Sequence, residues 1–342
     1  MINEINTEEL YENHRIIVEK GQKLLRMDKY LMLRIENTSR NKIQQAARAN
    51  CIKVNSQSVK PNYKVKPGDV IQIFLTREPR NTEIIPQNIP LDIVYEDDDL
   101  IIINKPMGMV VHPAYGNYDK TLVNALEWHF QHSENKDTDK EIHPLLVHRI
   151  DKDTTGLIVV AKNEESQTIL AKQFYYHTIE RTYTALVWGN FPDNEGTIDK
   201  NVARDSKDRK KMATYIDPEK GKRAITHWKV LERFGYATLI QCSLETGRTH
   251  QIRVHLMSEG HPLFNDATYG GDRILKGTTF SKYKQFILNC FEILPRQALH
   301  ATTLGFKHPI TNKEVFFSSA LPSDMQQVIE KWEKYTQNKN FT

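Results

Sequence analysis

Hydrophobic positions in the first quarter of the chain predict a small mixed module. Between Leu24 and Ile35 the apolar residues stand three or four positions apart, which predicts an amphipathic helix. Ser39 is a suitable N-cap for a second helix. The short apolar runs Ile52–Val54 and Val70–Leu75, with turn residues between them, predict strands.

The pattern after this module predicts one larger α+β unit. Apolar runs predict strands, helical spacing predicts helices, and Asn163 is a suitable cap for one of these. The predicted elements are the strands Leu100–Ile103 and Thr182–Trp188, a helix over Glu164–His177, and a C-terminal helix with Met325, Val328, Ile329 and Trp332 on one face. We therefore divide the chain into an extension (1–20), the small module (21–76), a proline-containing linker (77–90), the larger unit (91–335) and a flexible tail (336–342).

Composition narrows the class of protein. Of the 342 residues, 39% are hydrophobic and 26% are charged, which is typical of globular proteins and argues against wholesale disorder. No apolar run approaches the ~20 residues of a membrane span, and the polar N-terminus does not resemble a secretory signal. The three cysteines stand far apart and match no metal or disulfide spacing. We expect a cytoplasmic protein with no membrane contact.

Positive charge is concentrated in the small module. Residues 21–76 contain 11 basic and 3 acidic side chains, whereas the whole chain has a net charge of only +4. Lysine and arginine gain affinity for polyanions by releasing counterions from phosphates. The module therefore suggests a nucleic-acid partner, and a solvated basic surface without a partner is the alternative.

Polar residues form a dense group between two apolar runs at His148–Gly156, the arrangement of a loop at the end of a sheet. Asp151 is the candidate functional carboxylate, although Asp-Thr-Thr-Gly is also ordinary turn chemistry. The spacing of Asp151, Asp153 and Thr155 also resembles the nucleophile loop of haloacid-dehalogenase-like phosphatases. That alternative requires an apolar strand directly before the first aspartate and further acidic ligands downstream, and the chain supplies neither.

A second polar group, L-E-T-G-R-T-H-Q-I-R-V-H-L from Leu244, predicts a strand, a turn and a helix that ends near Gly260. His250 and Arg253 are three residues apart and share a face of this helix. His250 and His255 are five apart and point about 140° from each other, which argues against a two-histidine metal site. A buried arginine needs a carboxylate partner, and Asp151 is the candidate partner for Arg253.

The small module resembles the S-four-like RNA-binding domain. The resemblance rests on R-M-D-K-Y-L and on T-S-R-N-K-I-Q-Q-A-A-R-A-N-C-I-K-V-N, followed by V-K-P-G-D-V-I-Q-I. It implies RNA binding by a helix that presents Arg40, Lys42 and Arg48. Asn50 replaces the usual helix-ending glycine, but asparagine also tolerates the left-handed conformation.

The larger unit resembles RNA pseudouridine synthases of the RluA/RluD type. The motifs are, in order, N-K-P-M-G, H-R-I-D-K-D-T-T-G-L, R-T-Y-T-A-L-V, L-E-T-G-R-T-H-Q-I-R, G-H-P-L-F-N-D and R-Q-A-L-H-A. The resemblance implies an isomerase whose fold is a mainly antiparallel mixed sheet flanked by helices. It also implies that no cofactor or metal takes part, because the reaction transfers the uracil within one nucleotide.

Site residues follow from the same resemblance. It implies that Asp151 is the catalytic aspartate, that Tyr183 packs against the target base, and that Arg253 pairs with Asp151. Arg149 would fill the space left by the extruded base. The other expected RNA contacts are Arg248, His250, Gln251, Lys105, Arg209, Lys210 and Lys211. The segment Asp205–Met212 departs from the family's His-Pro-containing version, but its basic residues suit a phosphate backbone.

Uridine isomerisation needs one carboxylate, which attacks the ribose, attacks the uracil ring or removes a ribose proton, and the residues leave these routes open. The target nucleotide must be flipped out of its stack to reach the carboxylate.

We expect a monomer that acts on large-subunit ribosomal RNA or a ribosome-assembly intermediate. Transfer RNA is the alternative substrate, and a non-catalytic RNA-binding or assembly protein is the alternative function.

Overall fold

The computed structural model describes residues 11–22, 24–32, 34–35, 38, 40–75, 84–114, 116–133 and 142–337. These residues belong to two compact units: an N-terminal unit that precedes Ile84 and a larger unit that begins at Ile84. Ser39, the predicted helix cap, and the first part of the predicted linker lie outside the described residues.

The described residues of the N-terminal unit form six strands and two helices: β1 (Tyr11–Ile17), β2 (Leu25–Arg26), α1 (Met27–Met32), α2 (Arg40–Arg48), β3 (Ile52–Val54), β4 (Gln57–Ser58), β5 (Lys64–Val65) and β6 (Val70–Leu75). The main sheet has the order β1-β6-β3-β4, and β2 pairs with β5. Met27, Leu31, Ile43 and Ile71 are among the buried side chains of its core.

Two details of this unit differ from prediction. Residues 11–17 are not an extension, because β1 pairs antiparallel with β6 over its whole length. Its exposed, charged sequence hides this role, since the strand lies at the edge of the sheet. The predicted first helix is also shorter, because Leu25 and Arg26 pair with β5 before the helix begins. Asn50 has the predicted left-handed backbone, with φ of 58°.

The larger unit contains strands β7 (Ile93–Glu96), β8 (Leu100–Lys105), β9 (Leu145–Leu146), β10 (Thr155–Ala161), β11 (Glu180–Trp188), β12 (Glu195–Asp199), β13 (Asn201–Arg204), β14 (Met212–Tyr215), β15 (Ile225–Arg233), β16 (Ala237–Leu244), β17 (Leu299–Lys307) and β18 (Glu314–Ser318). Its helices are α3 (Leu122–His132), α4 (Glu164–Tyr175), α5 (Gln251–Ser258), α6 (Ser281–Ile293) and α7 (Ser323–Gln337). Helix α7 includes Thr336 and Gln337, so the predicted flexible tail does not begin at residue 336; residues 338–342 lie outside the described residues.

Ten strands form the large sheet, in the order β12-β15-β16-β11-β17-β10-β8-β7 with β18 on β17 and β9 on β10. Strands β10 and β17 run parallel and the other strand pairs of this sheet run antiparallel, so the predicted mixed, mainly antiparallel sheet is confirmed. The apolar strands β8 and β10 are covered on both faces, by α3 on one side and α4 on the other. Continuous hydrophobic runs are typical of such doubly covered strands.

The sheet order brings the polar motifs together. The His148–Gly156 motif leads into β10, which lies beside β17, while Tyr183 is on β11 on the other side of β17. Strand β16 pairs with β11 and leads through Glu245–His250 into α5. Residues far apart in sequence therefore meet at one side of the sheet.

Candidate active site

Asp151 lies in a cavity of about 630 Å³, and its side chain remains 19% exposed. It follows the buried Ile150 in the loop between β9 and β10, and its carbonyl accepts a hydrogen bond from the Thr154 amide. Gly156 positions the end of this loop, because a Cβ there would lie 2.2 Å from the Ala301 carbonyl oxygen of β17. The predicted candidate carboxylate is therefore accessible to a ligand of nucleotide size.

Arg253 projects from α5 and makes the predicted ion pair with Asp151, with 2.9 Å between Nη1 and Oδ2. Its Nε and Nη2 atoms donate to the carboxylate oxygens of Asp266, at 2.7 and 2.9 Å. Burial by itself lowers the pKa of the Arg253 guanidinium, but the hydrogen bonds and charge of Asp266 and Asp151 raise this pKa well above its ordinary value. A permanent positive charge therefore faces Asp151.

Asp266 is a site residue that the sequence reasoning missed. Its side chain is fully buried, and Oδ1 also accepts the backbone N–H groups of Thr268 and Tyr269. The sequence did indicate a second acceptor for Arg253, because a buried guanidinium has five donors and one carboxylate satisfies at most two of them. Asp266 thus holds Arg253 in a fixed orientation toward Asp151.

His250 faces Asp151 from the start of α5, with Nε2 3.9 Å from Oδ2. Its Nδ1 lies 3.0 Å from the Tyr269 hydroxyl, whose oxygen accepts the Met212 N–H. Nε2 is thus the ring nitrogen that faces the carboxylate, while Nδ1 is held by the Tyr269 hydroxyl. Burial lowers the pKa of the His250 imidazole, so the ring is neutral near pH 7.

Tyr183 lines the same cavity from β11 and is 6% exposed. Burial raises the pKa of the Tyr183 phenol, and the positive charge of Arg181 partly opposes this rise. Arg181 was not singled out in the sequence. Its guanidinium lies 5.4 Å from the ring centroid of Phe174 and packs closely against Gly247.

The remaining predicted contacts fall into two groups. Arg149 and Arg248 are exposed and line the cavity, and Arg209 and Lys210 are exposed in the turn between β13 and β14, with Lys211 partly buried beside them. Lys105 and Gln251 are buried instead.

The side chains of these two buried residues make hydrogen bonds inside the protein, and Gln251 also borders the cavity, so their contact with RNA stays a prediction. The Lys105 ammonium donates to three backbone carbonyls, one of them that of Lys152, and burial lowers its pKa to about 7. The Gln251 amide accepts from the Arg248 N–H and the Thr246 hydroxyl, and donates to the Ile225 carbonyl.

The predicted basic helix of the N-terminal unit is α2. Lys42 and Arg48 are exposed there. Arg40 donates to the buried carboxylate of Asp28 at 3.0 Å, together with Arg26. Arg40 therefore also stabilises the fold of this unit, which the sequence pattern did not reveal.

One group with the composition of a metal site occurs among the described residues, outside the cavity. Ligand atoms of Asp97, Asp99 and His308 lie within 4.8 Å of one another. His308 Nδ1 accepts backbone N–H groups, so Nε2 carries the hydrogen that it donates to Asp97 at 2.8 Å. Internal hydrogen bonds therefore account for this cluster.

Comparison with known proteins identifies both units. Residues 99–258 match the RNA pseudouridylate synthase family, and residues 25–71 match the S4 domain. The chain is 45% identical over 315 residues to an uncharacterized RNA pseudouridine synthase of Chlorobaculum parvum. This match covers 92% of this chain and 96% of the relative. It is 44% identical over 304 residues to the ribosomal large subunit pseudouridine synthase D of Zymomonas mobilis. That match covers 88% of this chain and 92% of the relative.

Among solved structures, the human RNA pseudouridylate synthase domain containing 1 shares the fold, with a TM-score of 0.52. At 24% identity it covers 72% of this chain and 96% of that chain. These matches exclude the phosphatase alternative and confirm the expected S-four-like domain and isomerase class. Because relatives of more than 40% identity match it over most of their length and its own, this chain belongs to the RNA pseudouridine synthase family.

Proposed function

We propose that the protein isomerises uridines in large-subunit ribosomal RNA and that Asp151 is the catalytic carboxylate. The RNA class is supported by the relatives from Zymomonas mobilis and Nitrosomonas europaea, both named ribosomal large subunit pseudouridine synthase D. The basic S4 unit supports binding to a structured RNA. As part of the same proposal, the enzyme is a monomer that acts in the cytoplasm.

The arrangement of Asp151 carries the catalytic part of this proposal. Its carboxylate is open to the cavity, while Arg253 donates to it and His250 Nε2 faces it at 3.9 Å. Both groups are held from behind, Arg253 by Asp266 and His250 by Tyr269. These fixed groups orient the carboxylate toward the cavity, where it can act as a nucleophile or base.

The reaction breaks the bond between ribose C1′ and uracil N1 and forms a bond between C1′ and C5. The proton on C5 is lost and N1 gains one, so no atoms are exchanged with a second substrate. Tyr183 offers an aromatic surface for the uracil while the sugar bond is absent. Because its pKa is raised, the phenol is protonated near pH 7 and acts there as a hydrogen-bond donor.

Replacement of Asp151 by Asn tests the catalytic role. The change is nearly isosteric, so we expect folding and RNA binding to persist while turnover falls roughly a thousandfold or more. Turnover is measured as tritium release from large-subunit ribosomal RNA transcribed with 5-tritiated uridine. Asp153→Asn, in the same loop but outside the cavity lining, is the matched control.

The substrate is tested separately by mapping pseudouridines in total RNA from cells with and without the protein. A missing pseudouridine in large-subunit ribosomal RNA supports the proposal, whereas a loss confined to transfer RNA would contradict it. Full turnover of the Asp151→Asn enzyme would contradict the catalytic assignment regardless of the RNA.

A further inference from the structure

The catalytic cavity continues along helix α4 into a second recess of about 450 Å³. The recess lies between α4 and the segment that follows β9. Val147, Ala171 and Tyr175 line both spaces, so the two are adjacent parts of one groove. An RNA strand that places one nucleotide beside Asp151 therefore has room in the recess for the adjacent nucleotide.

Tyr175 stands at the boundary between the two spaces. It is the last residue of α4 and is 75% exposed, although large aromatic side chains usually bury most of their surface. The next residue, Tyr176, is 68% exposed with its ring centroid 5.1 Å away, but it is not among the lining residues of either space. The sequence thus offers two neighbouring tyrosines, of which one borders the groove.

Polar groups of the groove suit a nucleotide rather than an apolar ligand. Lys172 lies on the recess side of Tyr175, and Arg181 and Arg149 lie on the cavity side. Gln167 lines the recess floor, where its amide donates to the Leu146 carbonyl. Cations that line both spaces bordered by Tyr175 match an RNA backbone whose phosphates flank a stacked base.

We propose that this recess is the subsite for the nucleotide next to the isomerised uridine, with Tyr175 as its stacking surface and Lys172 beside its phosphate. The proposal rests on the proposed function, since it takes the cavity to hold the target uridine. Sequence-specific RNA recognition acts mainly on unstacked bases, which stack on aromatic side chains of the protein. A base in the recess would compensate for the unstacking that base flipping requires.

Direct binding tests the subsite without turnover. The probe is a single-stranded RNA pentanucleotide with a central uridine and 2-aminopurine on one side of it, in two versions for the two sides. Stacking quenches 2-aminopurine, so the wild-type protein should quench one version more strongly. Loss of one aromatic stacking partner corresponds to roughly a 5- to 150-fold rise in Kd.

Tyr175→Ala should raise Kd within that range and abolish the quenching, while Tyr175→Phe, which keeps the ring, should retain both. Tyr176→Ala is the matched control and should bind as the wild type does. Equal affinity and equal quenching in the Tyr175→Ala and Tyr176→Ala proteins would overturn the subsite.

Tritium release from ribosomal RNA by the same variants separates the two proposals. If the wild type is inactive on this RNA while Tyr175→Ala still loses the pentanucleotide, the substrate assignment fails and the subsite stands. If the wild type is active and Tyr175→Ala leaves KM unchanged, the subsite fails and the substrate assignment stands.

Discussion

At the scale of single residues, Arg253 is shared between two carboxylates. Two of its nitrogens bind Asp266 and one binds Asp151, and the residue is only 5% exposed. A buried guanidinium needs such partners, because an unpaired buried charge is costly. Asp266 holds the guanidinium from inside the protein, so Arg253 points at Asp151 whether or not RNA is bound.

Asp266→Asn should therefore lower kcat more than it raises KM. The amide keeps the shape but loses the charge and one acceptor, so Arg253 is no longer held in place. Displacement of a positioning group by about 1 Å costs on the order of a hundredfold in rate. We expect a loss of that size in kcat for tritium release, with Asp272→Asn, an exposed acid of the same segment, as control.

Thermal unfolding of both variants identifies a temperature at which both are folded. A fall in kcat measured at that temperature is due to the displaced Arg253 and not to a loss of fold. A folded Asp266→Asn enzyme with wild-type kcat would show that Asp266 serves stability alone.

At the scale of elements, the start of β10 is fixed by contact with β17. Gly156 has φ of 108°, and the space that a Cβ would need is occupied by the backbone of Ala301. Only glycine adopts this conformation at such close approach. The position of the Asp151 loop therefore depends on a contact between two strands about 145 residues apart in sequence.

Gly156→Ala should destabilise the larger unit by at least about 3 kcal/mol, because both backbone strain and a backbone clash oppose it. Gly108→Ala is the matched control: its φ is 77° and no atom lies within 4 Å of the added Cβ, so strain of about 1 kcal/mol remains. Urea unfolding followed by tryptophan fluorescence measures the larger unit specifically, since all four tryptophans belong to it. Equal costs at the two positions would contradict the close-contact explanation.

Helix α2 of the N-terminal unit gives a second prediction at this scale. Lys42→Glu with Arg48→Glu should weaken RNA binding and reduce the slope of log Kd against log salt by about two, as expected for two lost phosphate contacts. Arg40 is left unchanged because its ion pair with Asp28 would confound the result.

The matched control is Lys282→Glu with Lys284→Glu, which makes the same change of charge on exposed positions of α6. An unchanged salt slope in the α2 variant, or an equal change in the α6 variant, would exclude α2 as the docking surface.

At the scale of the whole molecule, no described helix is long and apolar enough to span a membrane.

The larger unit contains buried histidines, whose protonation links its stability to pH. His255 is fully buried and His300 is 1% exposed. Burial lowers the pKa of both imidazoles, that of His300 to about 4. The His300 ring is therefore neutral in the folded protein near pH 6, where the unfolded chain begins to bind protons.

This difference predicts acid destabilisation of the larger unit. Well above pH 6.5 His300 is neutral in both states and the full stability is present. As pH falls from about 6.5 toward 4, the unfolded state binds this proton and the folded state does not, so the free energy of unfolding falls by about 1.4 kcal/mol per pH unit. His300→Gln should reduce the slope of unfolding free energy against pH by that amount, whereas His14→Gln, which lies in the N-terminal unit, should leave the slope for the larger unit unchanged.

The sequence by itself determined the two units, the class of enzyme and the candidate carboxylate. Hydrophobic periodicity depends on local geometry, and motifs such as H-R-I-D-K-D-T-T-G-L are contiguous, so both are readable from a linear chain. The pairing of Arg253 with Asp151 was also predictable, because burial of a guanidinium requires a carboxylate.

Only the tertiary structure decided which residues support the site. Asp266 and Tyr269, from one turn after α5, support Arg253 and His250 from behind, while Arg181 and Tyr175 reach the cavity from β11 and α4. Packing likewise decided that Lys105 and Gln251 have hydrogen-bond partners inside the protein and that residues 11–17 form an edge strand. Long-range contacts of this kind depend on how distant segments pack, and no local pattern in the sequence records that packing.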